Sequence, residues 1–386
     1  MRTPRITYVW LTGHVRNVGD SALRRPFCVA LRNAGPLRVW TGDPVKHYER
    51  NLGLQPGESV PSFVQWYGSF VKQVLVTRPN FAFNAGEFGV TRAYFFGMVC
   101  LLPWLIVLRL KGGAIVWVGA SVVAPRRGFM WPFCAFVRLA TLVLWRDLYS
   151  PKIMNVGGVM PDWAFALVGI QALPSSTLPP VASDSSDLLS RNLLAVSMRG
   201  DQKYPAPEWL SAVRSLADRL DLVPTIVVQV EEDECIGRRL KADLAADCIS
   251  WPREAGHQLG EEMARETYRR SRIILSDRLH ALIIGATEGA VPLAWCAQRN
   301  EKIARHFGAV DADWVSRDFS GSMAGLAALD RVGIAALEDQ RRRMVEAART
   351  QVEETASVLA AHLSRPPTVW PRRGDRSPRH ERHARP

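Results

Sequence analysis

"RIILSDRLHALIIGATEGAVPLAW", residues 272–295, fits a strand, a helix and a second strand into one short stretch. RIILSD (272–277) is a β-branched run closed by serine and aspartate, residues 278–288 read as a buried helix, and VPLAW (291–295) is again a strand. Strands alternating with helices argue for a parallel sheet flanked by helices, and so for an α/β fold. Within this apolar stretch an arginine and a histidine, one leucine apart, stand where the strand hands over to the helix. If the backbone stays extended there, Arg278 and His280 point the same way while Leu279 turns into the core.

The alternation continues in both directions. LLAVSM (193–198), PTIVVQV (224–230) and CISW (248–251) read as strands, separated by helical stretches at 206–221, 231–246 and 260–271. Residues 324–363 read as one or two terminal helices. The first half repeats the grammar. RITYVWL (5–11), LRVWTG (37–42), NFAFNAG (80–86), AIVWVGASV (114–122) and WRDLYS (145–150) are expected as strands, with a helix over 21–35. Residues 43–79 are the least legible. LPSSTLPPVASDSSD (173–187) is rich in proline, serine and aspartate and reads as a linker. The expected organisation is therefore a Rossmann-like domain at 1–170, a linker at 171–190, a second Rossmann-like domain at 191–363 and a basic, disordered tail at 364–386. Two such domains face each other across a cleft, and ligands of open α/β sheets bind beyond the carboxyl ends of the strands.

Composition bounds the function. The chain has 386 residues, 47% hydrophobic and 22% charged, enough for two ordinary domains. Its six cysteines include no C-x-x-C pair, so a disulfide framework or structural zinc is not expected, and reduced core thiols suit a cytosolic protein. HERH (380–383) lacks zinc-protease spacing, so no metal site is expected. Two apolar stretches, 93–108 and 128–145, contain Pro103 and Arg138 and are shorter than the roughly 20 clean residues of a spanning helix. They are expected as buried core helices, with a peripheral membrane contact as the other option. The net charge is +12, and residues 365–386 carry seven arginines against two acids. Such a tail is a solvated end or a contact for anionic lipid at the inner face of a plasma membrane. Nucleic acid is not expected, because no aromatic-interleaved basic motif accompanies the charge.

The strand ends supply the candidate site. TGHVRNVGDSAL (12–23) offers two readings: a helix cap at Asp20 or Ser21, or Asn17 and Asp20 facing the cleft to bind substrate hydroxyls. The segment is not the dinucleotide fingerprint, so no nicotinamide cofactor is expected. NAGEFG (84–89) places Glu87 in a glycine-flanked turn. Arg146 and Asp147 are expected to form an internal ion pair. In the second half SMRGDQ (197–202) ends a strand with Arg199, beside Arg278 and His280. Two guanidiniums, an imidazole and a helix N-terminus make a positive pocket for an anion.

RNVGDSAL, WRDLYS with MPDWAF (160–165), AVSMRGD and the RLH block with Lys302 in RNEK resemble, in order, the motifs of the polysaccharide pyruvyl transferase family. The likeness covers roughly residues 5–305, and the RLH block is its most specific part. Where family members often carry GG or GGG, this chain has NAGEFG. The resemblance implies a fold like that of the two-domain GT-B glycosyltransferases. It also implies transfer of pyruvate from phosphoenolpyruvate onto two hydroxyls of a sugar, glycan or lipid-linked glycan as a cyclic ketal. In that family the arginine and histidine of the RLH block and the strand-ending arginine serve the donor, which by match are Arg278, His280 and Arg199, with Arg278 and His280 as the catalytic pair. From the loops themselves, Asn17, Asp20 and Glu87 are the candidates for the acceptor side. Phosphoenolpyruvate is then the donor substrate, and no cofactor is implied. Two alternatives remain: a GT-B glycosyltransferase with a nucleotide-sugar donor, and a non-catalytic, membrane-associated member.

Overall fold

The computed structural model describes residues 4–42, 46–89, 91–123, 129–167, 191–250, 256–294, 301–317 and 323–365. The expected linker at 171–190 and the tail beyond residue 365 lie outside them. The first half runs β1 (Thr7–Trp10), α1 (Val18–Arg32), β2 (Leu37–Trp40), α2 (Lys46–Asn51), α3 (Phe63–Val76), β3 (Asn80–Phe83) and β4 (Gly86–Phe88). It continues through α4 (Arg92–Leu110), β5 (Ile115–Val122), α5 (Trp131–Leu139), β6 (Leu142–Trp145), α6 (Ser150–Met154) and β7 (Gly158–Val159) to a 3-10 turn at Trp163–Ala166. The second half comprises β8 (Leu193–Ser197), α7 (Pro207–Leu220), β9 (Val223–Val227), α8 (Glu234–Leu244), β10 (Asp247–Ile249), α9 (Gly256–Arg270) and β11 (Ser271–Ser276). After α10 (Leu279–Glu288) and β12 (Val291–Ala294) come α11 (Glu301–Gly308), α12 (Trp314–Arg317), α13 (Met323–Ala328) and α14 (Arg331–Ser364).

Two parallel sheets result among the described residues. The first has the order β2-β1-β3-β5-β6-β7, with β4 paired to the far half of β5; the second is β10-β9-β8-β11-β12. Helices cover both faces of parallel sheets, so the strands are apolar throughout rather than alternating; all eight residues of β5 are buried. Side-chain size still alternates. Tyr8, Trp10, Phe81, Phe83, Ile115 and Trp117 point to one face of the first sheet and pack with α3, α4 and α5. Val9, Leu11, Ala82, Val116 and Val118 point to the other, where the smaller side chains let α1 and elements of the second domain approach.

The chain ends by crossing back. Helix α14 is 34 residues long, about 50 Å at 1.5 Å per residue. Its last turn reaches the first domain, where Asn80 Nδ2 donates to the Leu363 carbonyl at 3.1 Å and His362 Nε2 meets Thr141 Oγ1 at 2.7 Å. It therefore packs on both domains.

Three expectations change. WRDLYS is not a strand: β6 ends at Trp145, and Asp147 Oδ1 accepts the amides of Tyr149 and Ser150 at 3.1 and 2.7 Å, which starts α6. The apolar stretch 128–145 is a helix followed by this strand, two states that short apolar runs do not distinguish. The stretch 93–108 is a helix but not a buried one: α4 rests one side on the sheet and leaves Phe96, Ile106 and Leu110 exposed by 62%, 45% and 64%.

Candidate active site

The cleft lies where the strand ends of both sheets meet. Strand β8 delivers Arg199 and β11 delivers Arg278, and two short side chains fix these loops to each other. Ser276 Oγ donates to the Ser197 carbonyl at 2.5 Å and accepts the Arg278 amide at 2.9 Å. Asp277 Oδ1 accepts the Arg199 amide at 2.9 Å. Asp277 is buried, and desolvation raises its carboxyl to about 6 despite the neighbouring arginines.

Extended backbone ends at Arg278 (φ −99°, ψ 120°), which caps α10; Leu279 already begins the helix. Hence Arg278 and His280 do not run side by side as extended residues would. The Arg278 guanidinium turns to Asp233 within its own domain, while His280, in the first helical turn, reaches across to the first domain. Asp233 also accepts the Gly200 amide at 2.8 Å, so a single buried carboxylate serves both loops. Arg199 makes a two-pronged pair with Asp201, at 2.9 and 2.7 Å, and Asp201 is well exposed.

His280 forms the centre of the interdomain contact. Arg146 Nη1 lies 3.0 Å from His280 Nε2, and the same guanidinium nitrogen pairs with Asp162 at 2.5 Å. A guanidinium only donates, so Nε2 accepts from Arg146 and a neutral ring carries its proton on Nδ1. Asp162 Oδ2 is 3.5 Å from Nε2, placed to receive that nitrogen when it is protonated. Burial favours the neutral Asp162 acid, but Arg146 and His280 outweigh it and hold the carboxyl far below the usual range. On the ring's other side is Gly19 of α1. A Cβ on Gly19 would stand 2.4 Å from His280 Nδ1, so the ring's position requires glycine there.

The first-domain wall is built at the start of α1. Asn17, not Asp20 or Ser21, is the cap: its Oδ1 accepts the Gly19 amide at 2.9 Å. Asp20 accepts the His14 amide at 2.6 Å and pairs with the buried Arg24 at 2.9 Å. Burial opposes its ionisation, yet Arg24 and the His14 amide keep it at about 2. Glu87, on β4, pairs across the cleft with Lys302 of α11.

These residues line a half-open cavity of about 480 Å³, within the size range of small-ligand sites. Its lining includes all six residues singled out from the sequence: Asn17, Asp20, Glu87, Arg199, Arg278 and His280. It is not the positive pocket expected. Asp20, Glu87, Asp201, Glu232, Asp233 and Asp277 line it beside Arg146, Arg199, Arg278 and Lys302. The physical reason is that a guanidinium taken out of water needs a counter-charge. Arg146, expected to pair with Asp147, pairs instead with Asp162 and lines the cleft. The RD and PD segments carried that signal, because both sit at the ends of first-domain strands.

The architecture is the GT-B fold, two Rossmann-like domains about a cleft. No protein-family model and no curated protein matches the chain. Among solved structures it is similar to a UDP-N-acetylglucosamine 2-epimerase structure, described as putative, from Listeria monocytogenes (10% identity, TM-score 0.58, 94% of this chain and 97% of that one). It is also similar to the S. aureus MnaA–UDP co-structure, at 11% identity and TM-score 0.54 over 93% and 97% of the two chains. A third likeness is to Arabidopsis thaliana UGT89C1 complexed with UDP-L-rhamnose, at 12% identity and TM-score 0.50 over 93% and 100%. At such identities the likeness defines the fold.

Proposed function

We propose that the chain transfers pyruvate from phosphoenolpyruvate to two hydroxyls of a sugar, forming a cyclic ketal and releasing phosphate. One observation carries the reading: motif segments spread over most of the chain meet at a single ring. Gly19 packs on His280, Arg146 hydrogen-bonds it, and Asp162 pairs with Arg146. Arg199 and Arg278 line the same cavity.

The donor carries a carboxylate and a phosphate. The α10 N-terminus and Arg199 receive it, because the exposed Asp201 is a weakly held partner that an anionic ligand replaces at little cost. A proton is delivered to the methylene carbon, making C2 electrophilic. A sugar hydroxyl attacks C2 and loses its proton, the C2–O bond breaks and phosphate departs. A second hydroxyl closes the ring and gives its proton to the released phosphate before that product leaves the cleft. His280 holds the travelling proton, since Arg146 partners the neutral ring and Asp162 the charged one. General acid–base help of this kind is worth about 10²–10⁴-fold. Asn17 and Glu87 form the acceptor wall, and Asp20 positions it through Arg24 and the His14 amide.

A nucleotide-sugar donor is the second reading, favoured by the likeness to structures solved with UDP and UDP-L-rhamnose. The deciding experiment incubates the protein with phosphoenolpyruvate and a panel of sugar acceptors. The expected product gains the mass of one pyruvate ketal as one phosphate appears. Thermal protection by UDP- or GDP-sugars, with none by phosphoenolpyruvate and no mass gain, would transfer the case to the second reading.

A further inference from the structure

Helices α3, α4 and α5 form the layer on the aromatic face of the first sheet, away from the second domain. They are held side by side. Trp104 Nε1 donates to Tyr67 Oη at 2.8 Å, Tyr67 Oη donates to the Cys100 carbonyl at 3.1 Å, and Phe95 lies edge-on to Trp131 with ring centres 6.0 Å apart. A surface helix normally turns a polar stripe outward. The outward stripe of α4 is Ala93, Phe96, Cys100, Pro103, Ile106 and Leu110, apolar at nearly helical spacing over its whole length. On α3, Val64, Leu75 and Val76 are 76%, 60% and 73% exposed, and Trp131 at the start of α5 is 54% exposed.

The charge on this layer has one sign. From residue 59 to residue 145 the sequence has eight lysines and arginines and a single acid, Glu87, which is in the cleft. Lys72, Arg78, Arg92 and Arg138 are exposed on or beside the three helices, whose sequences contain no aspartate or glutamate. Helix α4 is long and apolar enough to cross a membrane. Yet Met98, Leu101, Leu105 and Leu108 anchor it in the sheet's core, so in this fold it lies along the surface. Apolar side chains rimmed by exposed cations match the interface of a bilayer with anionic headgroups, where apolar insertion and charge attraction add.

We infer that the α3–α4–α5 layer docks on an anionic lipid surface as a peripheral contact. The orientation follows from α4: at its N-terminal end the Tyr94 hydroxyl bonds Thr12 and Asn84, next to the cleft wall that carries His14 and Glu87. Docking by this layer brings the acceptor side of the cleft near the headgroups. Resting on the proposed function, this makes a lipid-linked glycan the class of acceptor.

The test is flotation of the full chain with vesicles of phosphatidylethanolamine, with and without phosphatidylglycerol. Expected is strong recovery with the anionic vesicles, severalfold less with the neutral ones, and severalfold loss at high salt. In the full chain F96D with I106D should reduce recovery at least tenfold, and K72E with R92E severalfold. Unchanged circular dichroism and melting of each variant exclude misfolding. If the variants bind like the parent, the arginine-rich C-terminal segment binds the lipid and the inference fails. It also fails if the parent is a dimer that F96D with I106D converts to monomers, since the layer then joins two copies. Flotation requires no turnover, so loss of vesicle binding alongside ketal formation on a soluble sugar separates failure here from failure of the proposed function.

Discussion

At the scale of the residue, the cleft shows how an arginine can be legible while its environment is not. Arg278 and Arg199 stand at strand ends in the sequence, but their partners Asp233 and Asp201 do not declare themselves there, since pairing follows from folding. The Asp233–Arg278 pair is nearly buried, and removing one member of such a pair costs about 3–5 kcal/mol by leaving the other charge uncompensated. Arg278→Ala is therefore expected to lose both turnover and stability. Pairing Arg278→Gln with Asp233→Asn should recover most of the stability in urea unfolding while turnover stays absent; turnover in the double variant would mean that Arg278 lines the cleft without a part in the reaction. Asp277 gives a pH signature. Its carboxyl titrates at about 6 in the fold against 3.8 for a free side chain. Between those values the folded chain holds a proton that the unfolded chain has lost. Stability from this group is greatest below the lower value and declines as pH rises to about 6, by about 3 kcal/mol in all. Asp277→Asn should flatten that decline in unfolding measured at pH 5 and pH 8. An equal decline in both proteins would assign it elsewhere.

At the scale of the element, the long alternating segments were legible because periodicity and length agree: β1, β5, β8, β11 and α7 lie where the pattern puts them. The failures cluster where apolar character is continuous. In residues 128–145 only Arg138 and Thr141 interrupt the apolar run, and neither glycine nor proline separates α5 from β6, while the glycines around Glu87 concealed β4. The site was legible as a set of strand-end residues, but Arg146 was assigned the wrong partner, because adjacency in sequence favoured Asp147 and the fold supplied Asp162. Asp147 has another task. It is fully buried and accepts two amides at the start of α6, directly after the residue that holds His280. Loss of a side-chain acceptor for amides at a helix start costs about 0.5–2 kcal/mol. Asp147→Ala should lower stability by that amount and turnover at least tenfold, as Arg146 loses its fixed backbone. Asp147→Asn, which keeps the accepting oxygen, should restore both. If the alanine variant loses stability but keeps full turnover, the turn is structural only.

At the scale of the whole molecule, the cleft depends on how the two sheets are held together. One apolar cluster runs through both, joining Val9 and Val116 of the first sheet to Ile274 of the second, to Leu282 of α10 and to Leu359 and Leu363 of α14. Around it lie the packing of Gly19 on His280, the buried Arg25–Glu261 pair between α1 and α9, and the Ser21–His257 contact at 2.7 Å. Exposed pairs at the rim, such as Arg16 with Glu231, add little by comparison. Because no boundary free of contacts separates the sheets, heating should unfold them together, in one calorimetric transition. The end of α14 is the place to test this: Leu359 and Leu363 are almost fully buried in the shared cluster, and their turn bonds Asn80 and Thr141 of the first domain although the helix begins in the second. Each leucine-to-alanine change in a packed core costs about 2–5 kcal/mol. Leu359→Ala with Leu363→Ala should therefore release the last turns of α14 and divide the transition in two, with the first domain melting earlier. Turnover should fall as well, because His280 reaches Arg146 only while the domains stay docked. A single transition shifted to lower temperature would mean that the contacts of α1, His280 and Lys302 couple the domains without α14, which merely stabilises the pair.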